Sequence, residues 1–131
     1  MREAIEAKGW RKTLDAVQAI DAGVEVDLQY MIACLVTAAN GLRVGGRLVL
    51  TLANLCSEGG FNKLIRDTKT IFNRMNTHRA KFEWTSPDQV GALLPRLGFE
   101  IDLHDTSGRD MLVVATFVEA PTDAFLPSCI A

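Results

Sequence analysis

Three segments of the chain decide its fold: LDAVQAID at residues 14–21, DLQYMIACLVTAAN at 27–40 and GLRVGGRLVLTLAN at 41–54. The first is a short apolar run ending in an acid, which is typical of a buried parallel strand when a helix follows. The second has apolar residues at three- and four-residue spacing and predicts an amphipathic helix. The third predicts a turn at 44–46 and a strand over 47–53. Together they predict a right-handed parallel crossover.

Helix ends are marked by residues that satisfy free backbone groups. Asp27 is the predicted N-cap of the first helix and Gly41 its predicted end. Ser86 and Gln89 form a predicted capping box that begins a later helix, whose last turn should kink or end early at Pro95. Between these two helices lies another apolar stripe at helical spacing, formed by Phe61, Leu64, Ile65, Thr68, Phe72 and Met75.

The last part of the chain predicts an antiparallel hairpin. Residues 99–103 alternate between apolar and polar, 106–109 have turn composition, and 111–118 are apolar. Residues 119–131 contain two prolines and predict an irregular tail. We therefore expect one domain over residues 1–118, followed by that tail.

Sequence details add a family resemblance to this pattern. The segments LDAV at 14–17 and LRVGGRLVL at 42–50, followed by Asn54, are similar to the fourth strand, the turn and the fifth strand of class I S-adenosylmethionine-dependent methyltransferases. Val44 stands where that family commonly has proline. The resemblance continues to Val118 and corresponds to the second half of the methyltransferase fold, so the chain is expected to begin in the middle of that fold.

The resemblance implies an α/β fold with a partial Rossmann-like sheet. Its strands should lie in the order four, five, seven, six of the parent fold, with the last strand antiparallel and helices on both faces. The family binds its cofactor on a glycine-rich loop after the first strand and on an acid after the second. Neither is present, and the glycine pairs at 45–46 and 59–60 are interpreted as turn glycines. The implied cofactor is S-adenosylmethionine, bound weakly or not at all by the chain alone.

Candidate site residues follow from the rule that open α/β sheets bind ligands at the carboxyl ends of their strands. By resemblance, Asp21 and Asn54 lie nearest the transferred methyl group, and Asp21 and Ala22 contribute to cofactor binding. The acceptor side is expected to include Tyr30, His78 and Trp84. In the alternative interpretation, Asp21 caps a strand end and Asn54 bonds to loop backbone.

Composition narrows the classes of function. The 131 residues carry a net charge of −2, which gives no support for nucleic-acid binding through phosphates, so a small-molecule acceptor is favoured. No apolar stretch reaches membrane-spanning length, and the mixed charges of residues 1–12 are unlike a secretory signal. The three cysteines and two histidines have no metal-ligand spacing, so no metal site is predicted. These features predict a cytoplasmic protein.

Two functional hypotheses remain open. The chain is either the substrate-side portion of a methyltransferase, split or part of a longer chain, or a degenerate methyltransferase-like domain used for association without catalysis. In both, the strand that begins near Leu14 is central in the parent fold and would expose an unpaired edge here. We expect a second copy in a homodimer, a second polypeptide or the folded-back residues 1–12 to cover that edge, with strand exchange in a homodimer favoured.

Overall fold

The protein is described by a computed structural model covering residues 12–20, 27–74 and 83–119, together with Ala7 and Gly9. Those residues form strands and helices in this order: β1 (Leu14–Ala19), α1 (Leu28–Gly41), β2 (Leu42–Asn54), α2 (Glu58–Arg74), β3 (Trp84–Thr85), α3 (Pro87–Arg96), β4 (Phe99–Asp105) and β5 (Asp110–Phe117). Apart from Glu119, the predicted tail lies outside the described residues. No helix of the described part is long and apolar enough to cross a membrane.

The strands form one sheet in the order β1-β2-β5-β4, and β3 also pairs with β2. β1 and β3 run parallel to β2, whereas β5 runs antiparallel to both β2 and β4. The predicted sheet order is therefore confirmed, including the antiparallel last strand. The predicted fold class, a partial Rossmann-like α/β sheet with helices, is confirmed as well.

Capping residues set the helix starts as predicted. The Asp27 carboxylate accepts a hydrogen bond from the Tyr30 amide at 2.8 Å and begins α1. Ser86 and Gln89 exchange two side-chain-to-backbone bonds of 3.2 Å, so the capping box of α3 is complete. α3 continues through Pro95 to Arg96, and the chain then turns at Gly98 with a φ of 93°.

The core lies on one face of the sheet. Residues paired across neighbouring strands share a face, as Leu48 with Ala115 and Leu50 with Val113 do. α1 and α3 contribute to the same buried cluster, so both helices pack on this face. The main buried residues of the helices and strands are Met31, Leu35, Val36, Ala39, Leu48, Leu50, Leu52, Val90, Leu94, Phe99, Met111, Val113, Ala115 and Phe117.

Two predictions about the glycine pairs were wrong. β2 begins at Leu42, so the residues 44–46 that were predicted as a turn lie within the strand. The strand accommodates them through an irregularity in its pairing with β1, opposite Leu14 to Ala16, where Gly45 takes a φ of 85°. The pair at 59–60 lies in the first turn of α2 rather than in a loop. Gly60 is required for close packing, since a Cβ on it would lie 1.8 Å from the Asn54 carbonyl oxygen.

We predict that Gly60→Ala destabilises the protein by about 2 kcal/mol or more, because the added methyl group forces α2 away from the end of β2. Gly91→Ala is the matched control. Gly91 is also helical, and a Cβ on it meets nothing within 4 Å. The control should increase stability by roughly 0.5 to 1 kcal/mol, because alanine has less backbone freedom to lose on folding. Urea unfolding measures both, and equal effects of the two substitutions would contradict the packing argument.

Candidate functional site

The carboxyl ends of β1, β2 and β3 meet at one edge of the sheet, because these strands are parallel. We call this the carboxyl edge and define it by Ile20, Asn54 and Thr85. Helices α1, α2 and α3 begin from it, since each follows one of these strands. The turn between β4 and β5 also reaches it, because Ala53 pairs with Asp110 at the start of β5. In open α/β sheets this edge is where ligands bind.

Asn54 connects the parts of the carboxyl edge. Its side chain is buried, with the residue only 1% exposed. The amide Nδ2 donates to the Thr106 carbonyl at 2.8 Å, and Oδ1 accepts from the Cys56 backbone N–H at 3.0 Å. Its own backbone N–H donates to the Arg109 carbonyl at 2.8 Å. The side chain therefore joins β2 to the β4–β5 turn, with one amide hydrogen and one oxygen lone pair left over.

Ser57 fixes the start of α2 against the same residue. Its hydroxyl donates to the Asn54 carbonyl at 3.2 Å and accepts from the Gly60 N–H at 3.0 Å. The Phe61 N–H bonds to the Ser57 carbonyl at 2.9 Å, so Ser57 is the N-cap of α2. One of the backbone N–H groups in the first turn of α2, that of Gly60, is therefore already bonded within the chain.

The strand β3 was missed by the sequence analysis. It has two residues, Trp84 and Thr85, which pair with Ala53 and Asn54. The Thr85 hydroxyl donates to the Ala53 carbonyl at 3.0 Å. The backbone carbonyl of Thr85 accepts from the Leu55 N–H, also at 3.0 Å. An aromatic and a β-branched residue just before the Ser86 cap were the signal that could have indicated a strand. β3 brings Trp84, which is half-buried, beside the end of β2.

The structure places three of the predicted site residues at the carboxyl edge. Asn54 and Trp84 lie on adjacent strands. Tyr30 lies in the first turn of α1 with 61% of its surface exposed. Asp21, Ala22 and His78 lie outside the described residues. The proposed roles of all these residues in methyl transfer, cofactor binding and acceptor binding stay predictions. No group of three potential metal-ligating side chains occurs within residues 12–20, 27–74 and 83–119.

The β4–β5 turn holds a carboxylate with a lowered pKa. The Ser107 hydroxyl and backbone N–H both donate to Asp105 Oδ1, at 2.6 and 3.0 Å. These two bonds, the hydroxyl first, lower the pKa of Asp105 because they stabilise the ionised form. Arg109 makes two bonds to the Asp110 carboxylate, at 3.0 and 2.8 Å. Residues 106–109 form the turn that the sequence predicts, and hydrogen bonds at both ends order it.

No protein-family model matches the sequence, and no curated protein matches it. A methyltransferase from Thermotoga maritima, a possible histamine N-methyltransferase that depends on S-adenosylmethionine, matches with a TM-score of 0.57 at 15% identity. The match covers 82% of this chain and 57% of that one. The chain has a class I methyltransferase-like fold.

Two further solved structures agree with this class I methyltransferase-like fold. A family 2 O-methyltransferase from Planctomyces limnophilus in complex with apigenin has a TM-score of 0.58 at 16% identity, over 79% of this chain and 30% of its own. Magnesium protoporphyrin IX methyltransferase from Synechocystis PCC 6803, with bound SAH, has a TM-score of 0.57 at 17% identity, over 78% and 44%. The chain thus spans about a third to somewhat over half the length of these three proteins.

We predict that Asn54→Asp makes the stability of the protein depend on pH. An ionised carboxylate at this position would be buried, and it could not donate a hydrogen bond to the Thr106 carbonyl. Both effects disfavour the ionised form, so the pKa of the new carboxyl group should be raised in the folded protein. The variant should be most stable below the unfolded pKa of about 3.9 and lose stability as the pH rises through the folded pKa. We expect its deficit against the unsubstituted protein to grow to about 3 kcal/mol at neutral pH.

Urea unfolding of Asn54→Asp between mildly acidic and neutral pH tests this expectation. Asn62→Asp, which makes the same chemical change on the exposed surface of α2, is the control. A deficit for Asn54→Asp that stays constant with pH would contradict the role of the amide as a buried donor.

We also predict that Ser107→Ala raises the pKa of Asp105 towards the ordinary value of an aspartate, because the stronger of its two hydrogen bonds is lost. In the unsubstituted protein the lowered pKa stabilises the fold above the unfolded pKa, and this contribution is lost as the pH falls through the folded pKa. NMR titration of the carboxyl carbon measures the shift. Thr106→Ala, which keeps Ser107, should leave the pKa low, and an equal rise in both variants would refute the assignment.

Proposed function

We propose that this chain is the substrate-side portion of an S-adenosylmethionine-dependent methyltransferase. Its cofactor-binding portion would be supplied by a second polypeptide or by chain outside these 131 residues. The class I methyltransferase-like fold supports the reaction class. The coverage supports the division, because most of this chain matches only 57% of the Thermotoga maritima protein.

The observation that carries the proposal is the exposure of β1. A strand of a parallel α/β sheet is normally buried on both faces. β1 is parallel to β2, yet Leu14, Val17 and Ala19 are half-buried and its other residues are exposed. Within the described residues, β1 pairs with β2 and with no other strand. Its outer edge therefore has backbone groups available for one more strand, which the proposed second portion would provide.

The described part of the carboxyl edge does not by itself fit S-adenosylmethionine. The side-chain oxygen and amide of Asn54 already bond to backbone, and Ser57 already caps α2. The close approach allowed by Gly60 is occupied by the carbonyl of Asn54 rather than open to a ligand. These groups therefore form no cradle for a large polar ligand.

The proposed acceptor is a small molecule. Trp84 presents an indole beside the end of β2, and Tyr30 presents an exposed phenol at the start of α1. Aromatic surfaces of this kind bind apolar or aromatic ligands, with a polar group at the ring edge to orient them. The net charge of −2 gives no electrostatic attraction for a nucleic-acid acceptor. Asp21 and His78 would complete the proposed acceptor side, and Asp21 with Asn54 would lie nearest the methyl group.

A second candidate function is association without catalysis. It is favoured by the bonding of Asn54, because both ends of the amide hold loop backbone in place. A domain of this kind would stabilise a partner through the same outer edge of β1. The gene beside this one separates the two functions: a reading frame that encodes a strand followed by a glycine-rich loop favours the split enzyme.

We predict that the isolated chain binds S-adenosylmethionine no more tightly than a dissociation constant of about 1 mM. The glycine-rich loop and the ribose-binding acid are absent from the sequence, and each lost hydrogen bond to a buried polar ligand costs roughly 1 to 3 kcal/mol. Isothermal titration calorimetry measures the affinity. The complete Thermotoga maritima methyltransferase, titrated in the same buffer, is the positive control. A micromolar constant for the isolated chain would overturn the proposed division.

A further inference from the structure

Helix α2 has an exposed apolar stripe that the proposed function does not use. We call this stripe the α2 seam; it consists of Phe61, Ile65, Thr68 and Phe72. Phe72 is 81% exposed, Phe61 53% and Ile65 39%. Within residues 58–73 of α2, no residue after Gly60 is fully buried. Most of the helix therefore contributes little to the core. An exposed apolar stripe of this kind indicates an interaction surface.

The spacing of the α2 seam indicates what kind of surface it is. Successive members are separated by four, three and four residues, which is the alternation of the a and d positions in a coiled coil. The residues on one flank are the apolar Leu64 and Ile71, and those on the other are the polar Asn62 and Lys69. A seam bordered in this way is suited to pack against another α-helix.

The α2 seam is also symmetric about its midpoint. When two copies of α2 lie antiparallel, Phe61 of each copy lies opposite Phe72 of the other. In the same register Ile65 lies opposite Thr68. Both copies then use the same residues, as a two-fold symmetric interface requires. On the flanks, Leu64 approaches Ile71 and Asn62 approaches Lys69, so no like charges meet.

The charges at the two ends of the helix are complementary in the same arrangement, although the helix as a whole is basic. The chain has a net charge of −2, but α2 carries four basic residues against two acidic ones. Glu58 lies at its start, whereas Lys69 and Arg74 lie in its second half. Antiparallel pairing brings the acidic start of one helix to the level of the basic end of the other. The helix dipoles favour this alignment, since a positive helix start then adjoins a negative helix end.

We propose that α2 is a self-association surface through which two copies of this chain pair antiparallel along their α2 seams. A helix of 17 residues is about 25 Å long. Two helices of this length bury a small interface, so the dimer dissociates readily on dilution. The contact uses no residue of β1. Self-association through α2 therefore goes beyond the proposed function and does not depend on it.

Sedimentation equilibrium of the purified chain across a concentration series tests the proposal. The expected result is a reversible rise in mass towards twice the 14.4 kDa of the chain. Phe72→Glu places a charge in the seam and should raise the dissociation constant of the dimer at least about tenfold. Asn73→Glu adds the same charge at the next residue, outside the seam, and should leave the constant nearly unchanged. Both substituted residues are exposed, so both variants should keep the unfolding midpoint of the parent.

A charge pair tests the antiparallel direction. Phe61→Lys and Phe72→Glu should each weaken the dimer when introduced alone. In one chain together they should restore it, because each lysine then faces a glutamate of the other copy at both ends of the interface. A parallel pairing would instead place like charges together and make the double variant the weakest.

Four results would overturn the proposal. They are a monomer at every concentration, a dimer insensitive to Phe72→Glu, an equal loss with Asn73→Glu, and an equal loss with Leu103→Ser, which removes an exposed apolar side chain from β4. The second result would assign dimerisation to another surface, such as the edge of β1. A monomer that instead sediments with vesicles of phosphatidylserine and phosphatidylcholine, but not of phosphatidylcholine alone, would assign the basic amphipathic α2 to a membrane surface.

Discussion

The burial of Asn54 at the end of β2 is the constraint on which the carboxyl edge depends. Its backbone and side chain bond to the β4–β5 turn and to the start of α2, and its carbonyl lies against Gly60. β3 pairs with the same residue through Thr85. A buried amide with unmet hydrogen bonds is costly, so these bonds hold four separate segments at one point. The geometry of this edge therefore depends on the end of one strand.

The burial of the sheet is uneven, and this has consequences for function. The face towards α1 and α3 is packed, whereas β1 is half exposed and the α2 seam lies outside the core. An α/β sheet of this class is usually covered on both faces and continued past its parallel strands. A second portion at β1 and a second copy at α2 would cover surfaces that the described residues leave uncovered.

Much of the fold could be predicted from local patterns. The crossover from β1 through α1 to β2 follows from periodicity, and the caps at Asp27 and Ser86 follow from side chains that bond to free helix N–H groups. β3 could not be predicted with the same ease, because two residues are too few to show alternation. The carboxyl edge was predicted as a location, and Asn54 and Trp84 were predicted to lie there. The bonding of Asn54 to Thr106, 52 residues away, could not be predicted.

By itself the sequence determined most of the element types, because they depend on residues close together in the chain, and a family resemblance supplied the sheet order. Only the tertiary structure decided that Gly60 is a packing residue, that β2 begins at Leu42, and that the apolar side chains of α2 remain exposed. A stripe such as Phe61 to Phe72 predicts an apolar helix face in either case. Whether that face becomes core or surface depends on which distant segments fold against it, and the helix pattern does not contain that information.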